Sequence, residues 1–210
     1  MKRIEMRRRG QSTHVMRDIQ VYKYWKRMLD LIFAALLLIL LSPLIVLLAV
    51  LVRADSVGPA FFVQERVGRE GERFLICKLR TMYVSAPHGI PSAQLRDRER
   101  HVTRVGRFLR LASLDELPQL WNVLLGEMSF IGPRPVIPEE TMLLRYREML
   151  GADRVRPGLT GLAQICGRDA LSDRAKAMLD AQYAASVSLH SDLHILLATI
   201  PLVVCGAGND

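Results

Sequence analysis

Leu31 to Val52 is a run of 22 residues without a charge, interrupted only by Ser42-Pro43. About 20 apolar residues are enough for a helix to cross a hydrocarbon core. Proline inside a helix removes a hydrogen bond and crowds the preceding turn. The halves around it hold eleven and nine residues. At about 1.5 Å per residue, neither half crosses a ~30 Å core alone. Lys23, Lys26 and Arg27 precede the run, and Arg53, Arg66 and Arg69 follow it. Basic flanks prefer the cytoplasmic face. A re-entrant hairpin that enters and leaves by one face fits this pattern. A kinked span fits it as well, because transmembrane helices tolerate proline. In either form Ser42 is placed to bond a carbonyl that the proline frees.

Beyond the run the period changes. Ala60–Val67 and Arg73–Met82 predict two strands joined by Gly68-Arg69-Glu70-Gly71. Alternation in the second strand predicts Leu75, Cys77 and Leu79 on the core face, with Phe74, Ile76, Lys78 and Arg80 opposite. Lys78 and Arg80 would then stand about 6.6 Å apart. That spacing suits two oxyanions of a diphosphate, or a solvated edge. Pro87, Gly89 and Pro91 make Ser85–Gln94 a loop. Arg96–Leu111 predicts a helix with an apolar stripe (Val102, Val105, Leu109) and a basic face (Arg100, Arg104, Arg107).

Leu117, Leu120, Trp121, Leu124 and Leu125 recur at helical spacing and predict a core helix stopped by Gly126. Gly132-Pro133-Arg134-Pro135 predicts a stiff turn. Pro138-Glu139-Glu140 opens a helix with Met142, Leu143, Tyr146 and Met149, ended by Gly151. Pro157 to Gly167 predicts a loop, and Ser172 to about Ala185 a helix. Asp192 to Val204 is apolar but too short to span, so it lies in the interface or packs on the hairpin.

Composition narrows the class. The chain has 210 residues, half of them hydrophobic, with 14 Gly and 3 Cys. That excludes disordered, collagen-like and disulfide-scaffold chains. Cys77, Cys166 and Cys205 are widely spaced and odd in number, which implies reduced thiols facing a cytosol. Lys and Arg exceed Asp and Glu by 29 to 21, a net charge of +8. This points to anionic lipid, phosphate ligands or nucleic acid. No helix-turn-helix or zinc pattern accompanies the charge, so no nucleic acid partner is expected. Arg7-Arg8-Arg9 marks a basic arm. It is either solvated or drawn to anionic lipid by about 1 kcal/mol per basic residue. His190-Ser191-Asp192-Leu193-His194 lacks the glutamate of a zinc-protease helix and is not read as a metal site.

Ser113-Leu114-Asp115-Glu116-Leu117-Pro118 carries the chemistry. Ser113 and Glu116 have the spacing of a capping box. Pro118 would then be the fifth helical residue and lose a hydrogen bond. With Asp115 as N-cap, Pro118 falls in the first turn at no cost. Both acids then sit at the positive end of a helix, which favours their ionised form. Lys78, Arg80, Arg107, Arg110 and Arg134 supply cations. A carboxylate can attack phosphorus and form an acyl-phosphate. Basic side chains would neutralise the equatorial oxygens. Mg²⁺ would bridge carboxylate and phosphate with few protein ligands.

Several ordered motifs agree with that chemistry. They are Lys26-Arg27…Asp30, Ser42-Pro43, Phe62-x-Gln64-x-Arg66-x-Gly68, Lys78-x-Arg80-Thr81-Met82, residues 113–124, 126–135 and 156–168. Together, over roughly residues 23–200, they closely resemble the bacterial sugar transferases known as monotopic phosphoglycosyltransferases, in a short catalytic form.

The resemblance implies transfer of a sugar-1-phosphate from a UDP-sugar to polyprenyl (undecaprenyl) phosphate. The products are polyprenyl-diphosphate-sugar and UMP, formed through a phospho-aspartate with Mg²⁺. By motif position it makes Asp115 the nucleophile and metal ligand, and Glu116 its partner carboxylate. It places Lys78, Arg80, Arg110 and Arg134 on phosphate, and Gln164, Arg168 and Asp180 more loosely near substrate. It identifies Ser42-Pro43 with the break in a re-entrant membrane helix. It sets the active site on the cytoplasmic side of a bacterial inner membrane, with the lipid bilayer as partner and a homodimer left open. Leu162 and Cys166 depart from the commoner Trp and Asn of relatives, and Cys166 bears on the sugar side.

The expected fold is α+β and mainly helical. An arm (1–22) leads into the re-entrant membrane helix (23–53). One catalytic domain (54–190) with a small β-hairpin and interfacial amphipathic helices follows, then a C-terminal interfacial or packing segment (191–210). The alternative is a non-catalytic membrane anchor that binds an acidic partner, which leaves the Asp-Glu-Leu-Pro stretch unexplained.

Overall fold

The structure is a computed structural model that describes residues 2–87, 97–167 and 170–204, with backbone alone for 2–20, 98 and 204. Helix α1 (Lys2–Asp55) leads into strands β1 (Phe61–Val67) and β2 (Arg73–Leu79). Short helices α2 (Arg98–His101) and α3 (Arg104–Leu111) follow. A 3-10 turn (Leu114–Gln119) runs directly into α4 (Leu120–Leu125). The remaining elements are β3 (Ser129–Ile131), α5 (Thr141–Leu150), β4 (Gly158–Thr160), α6 (Leu162–Ile165), α7 (Asp173–Ala185) and α8 (Leu189–Val204). The molecule is mainly helical, with the two pairs β1–β2 (antiparallel) and β3–β4 (parallel) as its sheets.

Helix α1 runs through Ser42-Pro43 without interruption, where the sequence predicts a break. The reason is local. Ser42 Oγ donates to the Ile39 carbonyl at 2.9 Å, the acceptor that the missing Pro43 N–H would have used. The segment Val21–Asp55 is long and apolar enough to cross a membrane. Both its flanks pack on the rest of the molecule. At the first flank, Arg27 donates to the carbonyls of Val123 and Leu124, and Ala34 packs with Phe74, Ile76, Val123 and Met128. At the second, Leu48 and Val52 pack with Leu79 and Leu109, and Asp55 accepts from the Val105 N–H. Between the flanks the helix is bare, with Ile39 75% exposed.

The β-hairpin forms as predicted, with Phe61 opposite Leu79 and Val67 opposite Arg73. Its faces are inverted. Phe74 and Ile76 are buried against Ala34 and Val123, while Leu75 is 60% exposed. The alternation then breaks, since Leu79 and Arg80 are both buried. The apolar content of the two faces is nearly equal, so contact with α1 decides which one turns inward.

The predicted helix Arg96–Leu111 divides into α2 and α3 at Val102-Thr103, with residue 96 outside the described residues. Val102 bridges Met82, and Thr103 donates its N–H to the Thr81 carbonyl. The Thr103 side chain caps α3 by accepting from Gly106 N–H at 2.9 Å. A Cβ on Gly106 would collide with the Thr81 backbone, so glycine lets α3 lie directly on the chain after β2.

Two positions predicted as core are surface. Trp121 is 56% exposed, and Leu125 is exposed beside it, while Leu120 is buried. Phe108 and Leu111 of α3 are exposed as well. These side chains lie on α3 and α4, both of which pack against α1. The predicted loop Pro157–Gly167 contains β4 and α6, because β3 supplies backbone partners: Ser129 pairs with Gly158 and Ile131 with Thr160. Helix α7 starts at its predicted cap, where Ser172 Oγ accepts from Ala175 N–H. The C-terminal helix α8 buries Ile195 against Tyr183 and Val187 and leaves Leu193, Leu197 and Ile200 exposed.

Candidate active site

Asp115 and Glu116 lie in the first turn of the 3-10 segment, not at an N-cap. Ser113 precedes that turn at φ 54°, in the left-handed region, and its side chain forms no cap bond. Neither the capping box nor the Asp115 cap therefore forms. A non-glycine residue held at positive φ costs of order 1 kcal/mol or more and persists where its surroundings over-determine it. Here Pro118, Gln119 and Leu120 are buried just downstream and hold the turn. Asn122 locks α4 to β2. Its Oδ1 accepts from Cys77 N–H at 3.2 Å, and its Nδ2 donates to the Leu75 carbonyl and to Glu127, both at 2.7 Å. This clamp sets Lys78 opposite the acidic turn.

Lys78 Nζ meets Glu116 Oε1 at 2.6 Å, and Arg134 Nη2 approaches the same oxygen at 3.4 Å. Asp115 makes no hydrogen bond or ion pair among the described residues. Burial pushes its carboxyl above the usual range, and Glu116 adds to that. The charges of Lys78, Arg110 and Arg134 oppose the rise. Burial lowers the Lys78 ammonium, while Glu116 and Asp115 hold it up. Arg110 is oriented by its Nε–H bond to Thr81 Oγ1, 2.9 Å long. The result is a half-buried carboxylate with no hydrogen-bond or ion-pair partner among the described residues, in the field of three cations.

Of the predicted site residues, the structure brings Asp115, Glu116, Lys78, Arg110 and Arg134 together. Arg80 does not join them. Its guanidinium donates to the carbonyls of Pro59 and Ser56 and to Ser56 Oγ, at 2.6–2.9 Å. It is buried and fastens the end of α1 to β2. Asp180 is fully buried in an ion pair with Arg147 at 2.7 Å. Arg147 in turn donates to the Arg134 carbonyl at 2.9 Å. Asp180 thus acts on the Arg134 turn through Arg147. Gln164 is buried beside Gly161, and neither atom of its amide has a partner among the described residues. Arg168 lies outside the described residues.

Arg66 belongs to the site and carries no role in the motif reading. Its guanidinium donates to Gln64 Oε1 at 2.7 Å and to the Pro135 carbonyl, and its buried Nε has no partner among the described residues. Burial and the neighbouring Arg134 push it down to about 10. The signal was its spacing. Phe62, Gln64 and Arg66 recur every second residue, and the hairpin register sets Phe62 opposite Lys78 and Arg66 opposite Phe74. All share one face of the sheet.

Among the described residues no three His, Cys, Asp or Glu side chains converge as a metal cage. Mg²⁺ needs none: it binds one or two carboxylates and completes its shell with water and substrate phosphate. The adjacent pair Asp115-Glu116, with Asp115 unpartnered, fits that requirement. Asp192 of the His-x-Asp-x-His stretch is held elsewhere, accepting from Tyr22, Lys26 and Tyr183 at 2.7–2.8 Å.

Known proteins are similar to this chain over most of its length. The chain is 44% identical over 183 residues to UDP-glucose:undecaprenyl-phosphate glucose-1-phosphate transferase of Caulobacter vibrioides, covering 84% of this chain and 68% of that one. It is 39% identical over 198 residues to the exopolysaccharide production protein ExoY of Rhizobium meliloti, covering 88% and 87%. It is 34% identical over 197 residues to the undecaprenyl-phosphate galactose phosphotransferase of Salmonella typhimurium, covering 87% of this chain and 41% of that longer protein. The model of one family, bacterial sugar transferase, matches residues 21–206. The chain belongs to the bacterial sugar transferase family.

Proposed function

We propose that the chain is a membrane-associated phosphoglycosyltransferase. It moves a sugar-1-phosphate from a UDP-sugar to undecaprenyl phosphate, yielding undecaprenyl-diphosphate-sugar and UMP. The names of the Caulobacter vibrioides and Salmonella typhimurium relatives, which pair undecaprenyl phosphate with transfer of a sugar phosphate, support this substrate class. The observation that carries the chemistry is the unpartnered Asp115 carboxylate among Lys78, Arg110 and Arg134.

The reaction has two displacements. An Asp115 carboxylate oxygen attacks the phosphorus that bears the sugar. The new O–P bond forms as the bond to the UMP oxygen breaks, and UMP leaves with that electron pair. An oxygen of undecaprenyl phosphate then attacks the same phosphorus and regenerates the Asp115 carboxylate. Lys78 and Arg134 neutralise charge on the phosphoryl oxygens. Glu116 holds Lys78 and Arg134 toward that position. Asp115, assisted by Glu116, would ligate Mg²⁺, which supplies further charge neutralisation on the phosphates.

We place the site at the cytoplasmic surface, with α1 as a re-entrant element. Both flanks of its apolar segment pack on the same body, while the stretch around Pro43 is bare. A helix that crossed the bilayer would hold its two ends on opposite sides. The exposed Phe108, Leu111, Trp121 and Leu125 beside α1 suit immersion in the interface.

Incubation with a UDP-sugar radiolabelled in its sugar-linked phosphate, followed by digestion, tests the mechanism. The label is expected on the peptide that contains Asp115, and Asp115→Asn is expected to abolish UMP release. Label on any other peptide, or full activity of Asp115→Asn, removes the mechanism.

A further inference from the structure

Apart from the Asp115 cluster, a cavity of about 330 Å³ opens at the foot of α1. Lys23, Lys26 and Arg27 of α1 line it, with Arg69 from the β1–β2 turn and Arg154 and Arg156 from the segment before β4. Among these six cations the lining holds one acid, Asp30, whose carboxylate accepts from the Phe130 N–H. Lys78, Asp115, Glu116 and Arg134 are not part of it.

Four of the cations have structural anchors. Arg27 donates to the Val123 and Leu124 carbonyls, and Arg156 Nε to the Gly126 carbonyl at 2.7 Å. Lys26 pairs with Asp192, and Arg69 with Glu70. The Arg27 and Arg156 bonds draw those two guanidiniums together at the end of α4. Lys23 and Arg154 have no hydrogen bond or ion pair among the described residues. A concavity lined by one sign of charge concentrates counter-ions, and arginine matches phosphate oxygens in a bidentate fork.

The cavity also has a defined height. Lys26 and Arg27 stand five and four residues before Leu31, where the uncharged run begins. That is about 6–8 Å along the helix axis, the depth of a headgroup layer. Tyr24 and Trp25 are exposed at the same level, as interfacial aromatic residues are.

We propose that this cavity binds a phosphate-bearing anion, supplied by the headgroup of an anionic phospholipid where α1 enters the membrane. The lipid source rests on the membrane placement of α1 argued above, and the anion site itself does not depend on the reaction. Binding there would hold Arg154 and Arg156, and with them β4, against α1.

The test is thermal unfolding of the full chain in a neutral detergent at constant ionic strength. The probes are dihexanoyl-phosphatidylglycerol, dihexanoyl-phosphatidylcholine and sodium phosphate. The catalytic cluster also attracts phosphate, so the deciding quantity is the difference between wild type and Lys23→Gln/Arg154→Gln. Phosphatidylglycerol is expected to raise Tm saturably and phosphatidylcholine to leave it unchanged. The variant is expected to need at least tenfold more phosphatidylglycerol for half the effect, with its ligand-free Tm and UMP release unchanged. A variant-dependent shift with sodium phosphate alone supports the anion site and makes its source soluble. Equal responses to the two lipids, or no difference between wild type and variant with either anion, overturn the proposal. Should the double variant unfold, Lys23→Gln alone carries the test with the same outcomes. Loss of UMP release in wild type would bear on the reaction and leave this result standing.

Discussion

At the scale of single residues, the site works by opposed perturbations. Burial raises the Asp115 carboxyl and lowers the Lys78 ammonium, so their titrations move toward each other. The proposed reaction needs Asp115 ionised and Lys78 charged. The kcat/KM profile is therefore expected to be a bell whose acid limb lies above the ordinary aspartate value of about 3.9. Its alkaline limb lies below the ordinary lysine value of about 10.4. Lys78→Met removes a cation that favours the ionised Asp115. Its acid limb is expected to move to higher pH, and its maximal rate to fall about 10²–10³-fold. An acid limb unchanged in Lys78→Met would mean that Lys78 does not act on Asp115. The acid pair was legible because Asp-Glu-Leu-Pro is compact in sequence. Arg66 and Arg80 show where such reading stops. Both are basic strand positions in motifs, yet one joins the cluster and the other bonds three oxygens of the α1–β1 connection. Only the packing of β1 and β2 against the end of α1 separates them.

Elements hold these residues through a few long-range contacts. The Arg134 turn is fixed from behind by α5 and α7, through Arg147 and the fully buried Asp180. Arg147→Ala leaves an unpaired buried carboxylate and is expected to cost about 3–5 kcal/mol. The sign of its pH dependence follows from Asp180, whose carboxyl burial raises above its unfolded value. Such a group loses stability as pH rises through its folded-state pKa. Removing Arg147, which opposes the rise, enlarges that loss. Denaturant midpoints of Arg147→Ala are therefore expected to be lower at pH 8 than at pH 5, more so than in wild type. Gly106 acts differently, by absence of a side chain. Gly106→Ala drives a methyl into the Thr81 backbone and is expected to destabilise by about 1–3 kcal/mol. It should also lower activity, since Thr81 orients Arg110; calorimetry and UMP release on one preparation check both. Element boundaries with local signals were legible, such as the Ser172 cap and Gly151. The faces of β2, the split between α2 and α3, and strand β4 depend on partners distant in sequence, and periodicity does not carry them.

For the whole molecule, the decisive question is how one apolar helix relates to the body beneath it. Its continuity at Pro43 does not by itself imply a span, because Ser42 repairs the missing bond within the same turn. The flanks carry the argument. Arg27 and Ala34 pack on α4 and β2, and Val52 and Asp55 pack on α3. A hydrocarbon layer of ~30 Å between those flanks would pull one set of contacts apart. The cost would include the burial of Leu48 and Val52, about 1.5–3 kcal/mol for each side chain. An entry and exit on one side keeps both sets and still immerses the bare centre. In the re-entrant placement proposed above, residue 10 and the catalytic body share a compartment. With the three native cysteines replaced, a cysteine at Gly10 and one at the exposed Met149 are expected to resist a membrane-impermeant thiol reagent applied outside intact cells. Both are expected to react once the cells are opened. Labelling of residue 10 from outside, with residue 149 protected, would establish a span, and the flank contacts would then have to belong to a state other than the membrane-bound one.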